Sequence, residues 1–173
     1  MKKFYITNGT FDFMKKFYYK NKEKHNLFLL LDGQKQDVTL FHESNQKTVF
    51  GNPRKYEVLQ EIGDFIQSGV LMIKHITVEK EDQAYFENRF EGYANQASLL
   101  RGLVAFRFLR PEKGIDYIVL TAWSKERYAE MWEIPNEFFI PSSQVLHGDF
   151  FSVPTYTKKY WAPSVEEIEE RFE

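Results

Sequence analysis

No cysteine occurs anywhere in the chain. Disulfides, thiolate catalysis and Cys-ligated metals are thereby excluded, and the lack fits a reducing compartment, so a cytoplasmic protein is expected. Long apolar runs are missing too, and none approaches the roughly 20 residues that a membrane helix needs. The start of the chain carries Lys2 and Lys3 but no apolar signal stretch, because Asn8, Gly9, Thr10 and Asp12 arrive too soon. Charge of one sign is also absent: 23 Lys and Arg against 25 Asp and Glu leave a net −2, which gives no basic stripe for nucleic acid. Neither a nucleic acid nor a membrane is expected as a partner. No phosphate loop, Ser-His-Asp order or paired-carboxylate motif stands out, and His25 and His42 border strands with no metal-ligand spacing around them.

What is present is apolar and aromatic. With 43% hydrophobic residues, a chain of 173 residues can bury a core as one domain or two small ones. The first part, 1–67, reads as β-α-β-β-β-α. Residues 4–7 form a strand stopped by the turn pair Asn8-Gly9, and Thr10 caps a helix with Phe13, Met14, Phe17 and Tyr18 on one face. The apolar run 27–31 closes at Asp32-Gly33, 38–41 pairs back, and 48–50 gives another short strand. Asn52 and Pro53 then open a helix whose stripe is Tyr56, Leu59, Ile62, Phe65 and Ile66.

The second part, 68–163, follows a β-α-β-β-α-β order, the ferredoxin-like arrangement. Its first strand, 70–78, is apolar on both faces apart from Lys74, His75 and Thr77, so both faces must be covered. A helix carrying Phe86, Phe90, Tyr93 and Ala97 follows, weakened at Gly92, and then strands 103–109 and 115–123 form a hairpin. Ser124 caps a short helix with Tyr128, Met131 and Trp132 on one face, and 156–161 is a last strand. Residues 164–173 read as an acidic tail, a solvated helical turn. One layer of helices covers only one face of a ferredoxin-like sheet. The first part begins with the same β-α-β-β order, so the two parts are expected to close a pseudo-dimeric α+β barrel, and the protein to be a monomer.

The strand-to-helix junction 118–132 places Trp132 at the edge of a sheet–helix cleft, where small-molecule pockets tend to lie. Trp123 closes the strand as core, and the spacing of Trp132 beside Tyr128 and Met131 suits packing as well as it suits a pocket wall.

Several runs carry a family likeness: YITNGTFDF at 5–13, HES at 42–44 with TVF at 48–50, and YEVLQEIG at 56–63. FENRF at 86–90, LRP at 109–111, LTAW at 120–123 and FSVPTY at 151–156 continue it almost to Ala162. On these the chain resembles the antibiotic-biosynthesis-monooxygenase superfamily, in the branch of the bacillar haem-degrading monooxygenase HmoB and the staphylococcal protein TRAP (target of RNAIII-activating protein). The resemblance implies haem as cofactor and substrate, an electron donor that the sequence does not identify, and three pocket residues: a Trp on the porphyrin, a His on the iron and an Asn at the bound oxygen. Trp132 matches the Trp, the pair Lys74-His75 falls where the Asn is expected, and the His position holds Ser142, with His147 the nearest histidine downstream.

These matches give a haem-binding or haem-degrading monooxygenase-like protein, with Trp132 and His75 as candidate catalytic residues. His147, Tyr128 and Arg107 are the candidate cofactor contacts, and His147 or His75 the candidate iron ligand. Arg107 and Arg110 are candidates for an acidic group such as a propionate, against the plainer reading of surface ion pairs. A non-enzymatic signalling protein of the TRAP type, with a degenerate pocket, is the alternative. A cofactor-free oxygenase of a small aromatic substrate is the third.

Overall fold

The structure, a computed structural model, describes residues 2–32, 37–135, 138 and 154–171. β1 (Lys3–Thr10), α1 (Phe11–Asn21), β2 (Leu27–Leu31), β3 (Asp37–Ser44) and β4 (Arg54–Ile62) make the first half. β5 (Val70–Thr77), α2 (Gln83–Phe90), α3 (Tyr93–Ala97), β6 (Leu103–Pro111), β7 (Asp116–Trp123), α4 (Glu126–Glu130) and β8 (Thr155–Trp161) make the second, and α5 (Val165–Arg171) follows. The strands close into one barrel in the order β1-β3-β2-β8-β5-β7-β6-β4, with β4 returning to β1 and neighbours antiparallel. The α+β barrel built from two halves is therefore as expected, and the second half keeps the expected ferredoxin-like order.

Alternation along each strand sorts the core into three layers. Phe4, Ile6, Phe41, Ile73, Ile118 and Leu120 point into the barrel. Phe86, Phe90, Tyr93, Phe106, Phe108 and Trp132 pack between the second half of the sheet and its helices. Met14, Tyr18, Leu29 and Leu40 do the same beneath α1, joined by Ile168 of α5. The tail is thus not only solvated: Ile168 is fully buried and straps the second half onto the first.

Two seams join the halves. At one, β4 and β6 pair from Tyr56↔Pro111 to Ile62↔Phe106. At the other, β2 meets β8 among the described residues only at Leu31↔Trp161. Gln67 then takes over: its amide accepts from the Leu29 N–H at 2.9 Å and donates to the Leu29 and Pro163 carbonyls at 2.7 and 2.8 Å. Proline has no N–H to offer a ladder, so a side chain supplies the rung.

Four expected elements differ. The stripe from Tyr56 to Ile66 is not a helix: Tyr56 to Ile62 lie in β4, Phe65 and Ile66 follow it outside any strand, and 48–50 forms no strand. A bulge between Val58 and Gln60 shifts the side-chain parity, so Tyr56 and Val58 face the barrel while Leu59 and Ile62 face outward. A strand with such a shift imitates helical spacing. The turn pair Asn8-Gly9 lies within β1, paired with Thr39 and Val38. The helix over Phe86 to Ala97 is two helices, α2 and α3, interrupted at Glu91 and Gly92, and its four named apolar residues are buried as expected.

Candidate functional site

The hairpin partner β7 ends at Trp123, and the chain turns through Ser124 into α4, which is shorter than its sequence suggests. Lys125, not Ser124, holds the capping position, and the helix stops before Met131. Trp132 then folds back under the sheet layer with its backbone N–H on the Ala129 carbonyl at 3.2 Å. Tyr128, Met131 and Trp132 consequently do not share a face: Trp132 is 7% exposed and Met131 is 79% exposed.

The Trp132 indole is fixed on three sides. Its Nε1–H donates to the Tyr93 hydroxyl at 2.8 Å, its ring centroid lies 6.3 Å from that of Trp123, and the Lys74 ammonium stands 5.7 Å over it. Trp123 is itself held by a bond from its Nε1 to Thr121 Oγ1 at 2.8 Å. Beside the two indoles opens a cleft of about 520 Å³, bordered by Tyr128, Met131, Arg101 and Arg127. Gly102, at φ +83°, leaves room for the Tyr128 ring, which a Cβ there would strike. The guanidinium groups of Arg101 and Arg127 lie 5.5 and 4.9 Å from that ring. Arg127 also donates to the Tyr128 hydroxyl at 3.0 Å; that bond, helped by the nearby cations, lowers the phenol's pKa. Two indoles, a phenol and two arginines favour a flat, unsaturated, anionic guest.

The remaining sequence candidates lie elsewhere. On β5, Leu71 and Ile73 face the barrel, and His75 shares their parity, so it lies on the opposite face of the sheet from Trp132. Its Nδ1 meets Asp116 Oδ2 at 2.9 Å, and its ring stacks on Tyr156 with centroids 4.5 Å apart. Lys74 is the member of the Lys74-His75 pair on Trp132's side; burial lowers its pKa, partly offset by Glu133. Arg107 also points into the barrel and is 1% exposed. It forms a two-point pair with Glu43 at 2.6 and 3.2 Å and donates to the carbonyls of Ile62, Gly63 and Phe106. A propionate cannot use a guanidinium so engaged. Arg110 pairs with Glu57 and Glu87, and Glu87 also accepts from Tyr117. Ser142 and His147 lie outside the described residues. Among the described residues no group of three His, Asp or Glu is arranged to hold a metal.

Of the sequence candidates among the described residues, only Trp132 and Tyr128 are therefore brought together. Arg101 and Arg127 were not singled out from sequence, and charge on a turn and on an exposed helical face carries no signal that would have done so. No histidine among the described residues lines the cleft. The cleft sets aromatic faces beside two arginines, and no residue described at its lining is a metal ligand.

No family model matches the chain. The signal transduction protein TRAP of Staphylococcus aureus (strain MSSA476) is 31% identical over 118 residues, 68% of this chain and 68% of that protein. A ferredoxin-fold protein related to antibiotic biosynthesis monooxygenases from Listeria monocytogenes superposes with a TM-score of 0.75 at 21% identity, covering 95% of each chain. A haem-degrading enzyme from Listeria monocytogenes gives a TM-score of 0.69 at 18% identity, over 93% of this chain and 99% of that one. At such identities the two structures establish a shared fold.

Proposed function

Because the chain belongs to the family of the staphylococcal signal transduction protein TRAP, on the fold of the antibiotic-biosynthesis-monooxygenase-like proteins, we propose that it binds haem in the Trp132 cleft. The cleft carries the proposal: about 520 Å³ beside Trp123 and Trp132, with Arg101 and Arg127 at its border. A neighbour of the same fold named as a haem-degrading enzyme supports it. Trp132 and Tyr128 would hold the macrocycle, Arg101 and Arg127 would take its carboxylates, and His147 would be the iron ligand. When bound, haem supplies the oxygen chemistry; the chain's residues bind it, orient it and limit water on its indole side. A barrel closed by one chain supports the reading that the protein acts as a monomer.

Titration of the purified protein with haemin tests this. A saturable Soret shift is expected, weakened at least tenfold by Arg101→Ala with Arg127→Ala and altered in position by His147→Ala. No shift, or one that Trp132→Phe, the arginine pair and His147→Ala all leave unchanged, overturns the proposal. Adding ascorbate in air as electron donor then separates binding from degradation, because only degradation bleaches the Soret band and yields product.

A second reading, a signalling protein without enzymatic activity, is favoured by Leu99 and Met131, 86% and 79% exposed. Large apolar side chains in water suit a partner's surface. It predicts no haemin response together with capture of a protein partner that Leu99→Asp and Met131→Asp abolish.

A further inference from the structure

Apart from the Arg107–Glu43 pair towards its other end, the barrel interior is apolar, and it turns polar at one mouth, at interior-facing positions of six strands. Asn8 of β1, Thr39 of β3, Arg54 of β4, His75 of β5 and Asp116 of β7 stand there, each continuing a row whose previous members are core, and Tyr156 of β8 stands beside His75. They are linked into two arms. In one, Arg54 donates to Asn8 Oδ1 at 2.9 Å and Asn8 Nδ2 donates to Thr39 Oγ1 at 2.7 Å. In the other, Tyr156 stacks on His75, which holds Asp116 at 2.9 Å. Between Arg54 and Asp116 lies a recess of about 430 Å³, lined also by Lys55, Tyr56, Pro111 and Lys113. That volume lies in the range of small-molecule pockets, roughly 300–1,000 Å³.

We propose that this mouth is a second small-molecule site, separate from the Trp132 cleft, which takes an aromatic carboxylate bearing a hydroxyl at its far end. Arg54 makes no ion pair among the described residues, and Lys55 and Lys113 outweigh Glu112 around it, so the carboxylate docks on that side. Asp116 lies on the opposite wall and accepts from the hydroxyl. His75 is a positioning residue: clamped by the Tyr156 ring, it fixes the rotamer of the carboxylate it holds. Tyr56, 3% exposed, and Pro111 give the ring two apolar walls. An ordinary barrel rim would be polar but would not order its groups in linked arms about one recess.

The test is a titration of the ¹⁵N-labelled full chain with 4-hydroxybenzoate, using benzoate as the probe that lacks the donor. Saturable shifts are expected at the amides of Arg54, Tyr56 and Asp116, with 4-hydroxybenzoate binding at least threefold more tightly than benzoate. Arg54→Gln should weaken both probes about tenfold, Asp116→Asn should erase the difference between them, and Trp132→Phe should change neither. No saturable shift, equal affinity in Arg54→Gln, or shifts confined to the Trp132 cleft overturns the proposal. Since Trp132→Phe acts on the haemin response alone, the two sites fail or stand independently.

Discussion

The two ends of the barrel are built from the same strands and are finished in opposite ways. At one end Arg107 and Glu43 are paired inside the wall, 1% and 9% exposed, with the Phe65 ring 4.8 Å from the guanidinium. Every direction in which Arg107 donates meets a carboxylate or a backbone carbonyl. At the other end Arg54 is exposed, and it donates a hydrogen bond to the neutral amide of Asn8. The contrast separates two uses of the same side chain. A guanidinium saturated by its own protein locks two halves together, while one left half in water remains available to a guest.

The largest expected effect breaks the sealed end. Arg107→Ala leaves Glu43 buried without its partner and should cost about 3–5 kcal/mol in urea unfolding. Arg107→Met combined with Glu43→Leu should recover most of that loss, because no buried charge is then stranded. At the open end, burial pushes the Tyr56 phenol up to about 12, with Arg54 opposing and Asp116 adding to the rise. A raised phenol pKa stabilises the folded state below the ordinary value of 10, and that contribution is lost as pH climbs from there towards about 12. The loss should amount to about 2 kcal/mol relative to Tyr56→Phe, read as the difference between the two stability curves, since other buried tyrosines titrate in both proteins. Gln67→Ala, near the sealed end, strands the Leu29 amide and two carbonyls and should cost about 1–3 kcal/mol. Arg54→Ala should change stability by no more than about 0.5 kcal/mol. An Arg54→Ala penalty as large as that of Arg107→Ala would erase the distinction between the ends.

The second half was legible because its signals are local. Phe86, Phe90, Tyr93 and Ala97 mark a buried helical face even though the helix breaks at Gly92, and the strand at 103–111 and its hairpin partner fall near their expected places. β4 was not legible, because its bulge replaces a two-residue rhythm with one that resembles a helix. The site was harder still. β5 is apolar on both faces, so nothing in its sequence says whether Lys74 or His75 faces Trp132. Arg107's role depends on Glu43, 64 residues away, and a contact at that separation leaves no pattern in either neighbourhood. Ile168 shows the same limit: one apolar residue among glutamates looks solvated until the sheet that receives it is in place.

The single amide rung at Gln67 makes the barrel mechanically lopsided. In a barrel assembled from two equal chains, symmetry would give both joints the same strength. Here the β4–β6 joint has a six-pair ladder interrupted by one bulge, whereas among the described residues the β2–β8 joint has one strand pair, backed by the Gln67 side chain and the clamp of α5. Under heat or tension the cylinder should part along β2–β8 first and swing about β4–β6 as about a hinge, so that the wall unrolls as one curved sheet before any strand leaves it.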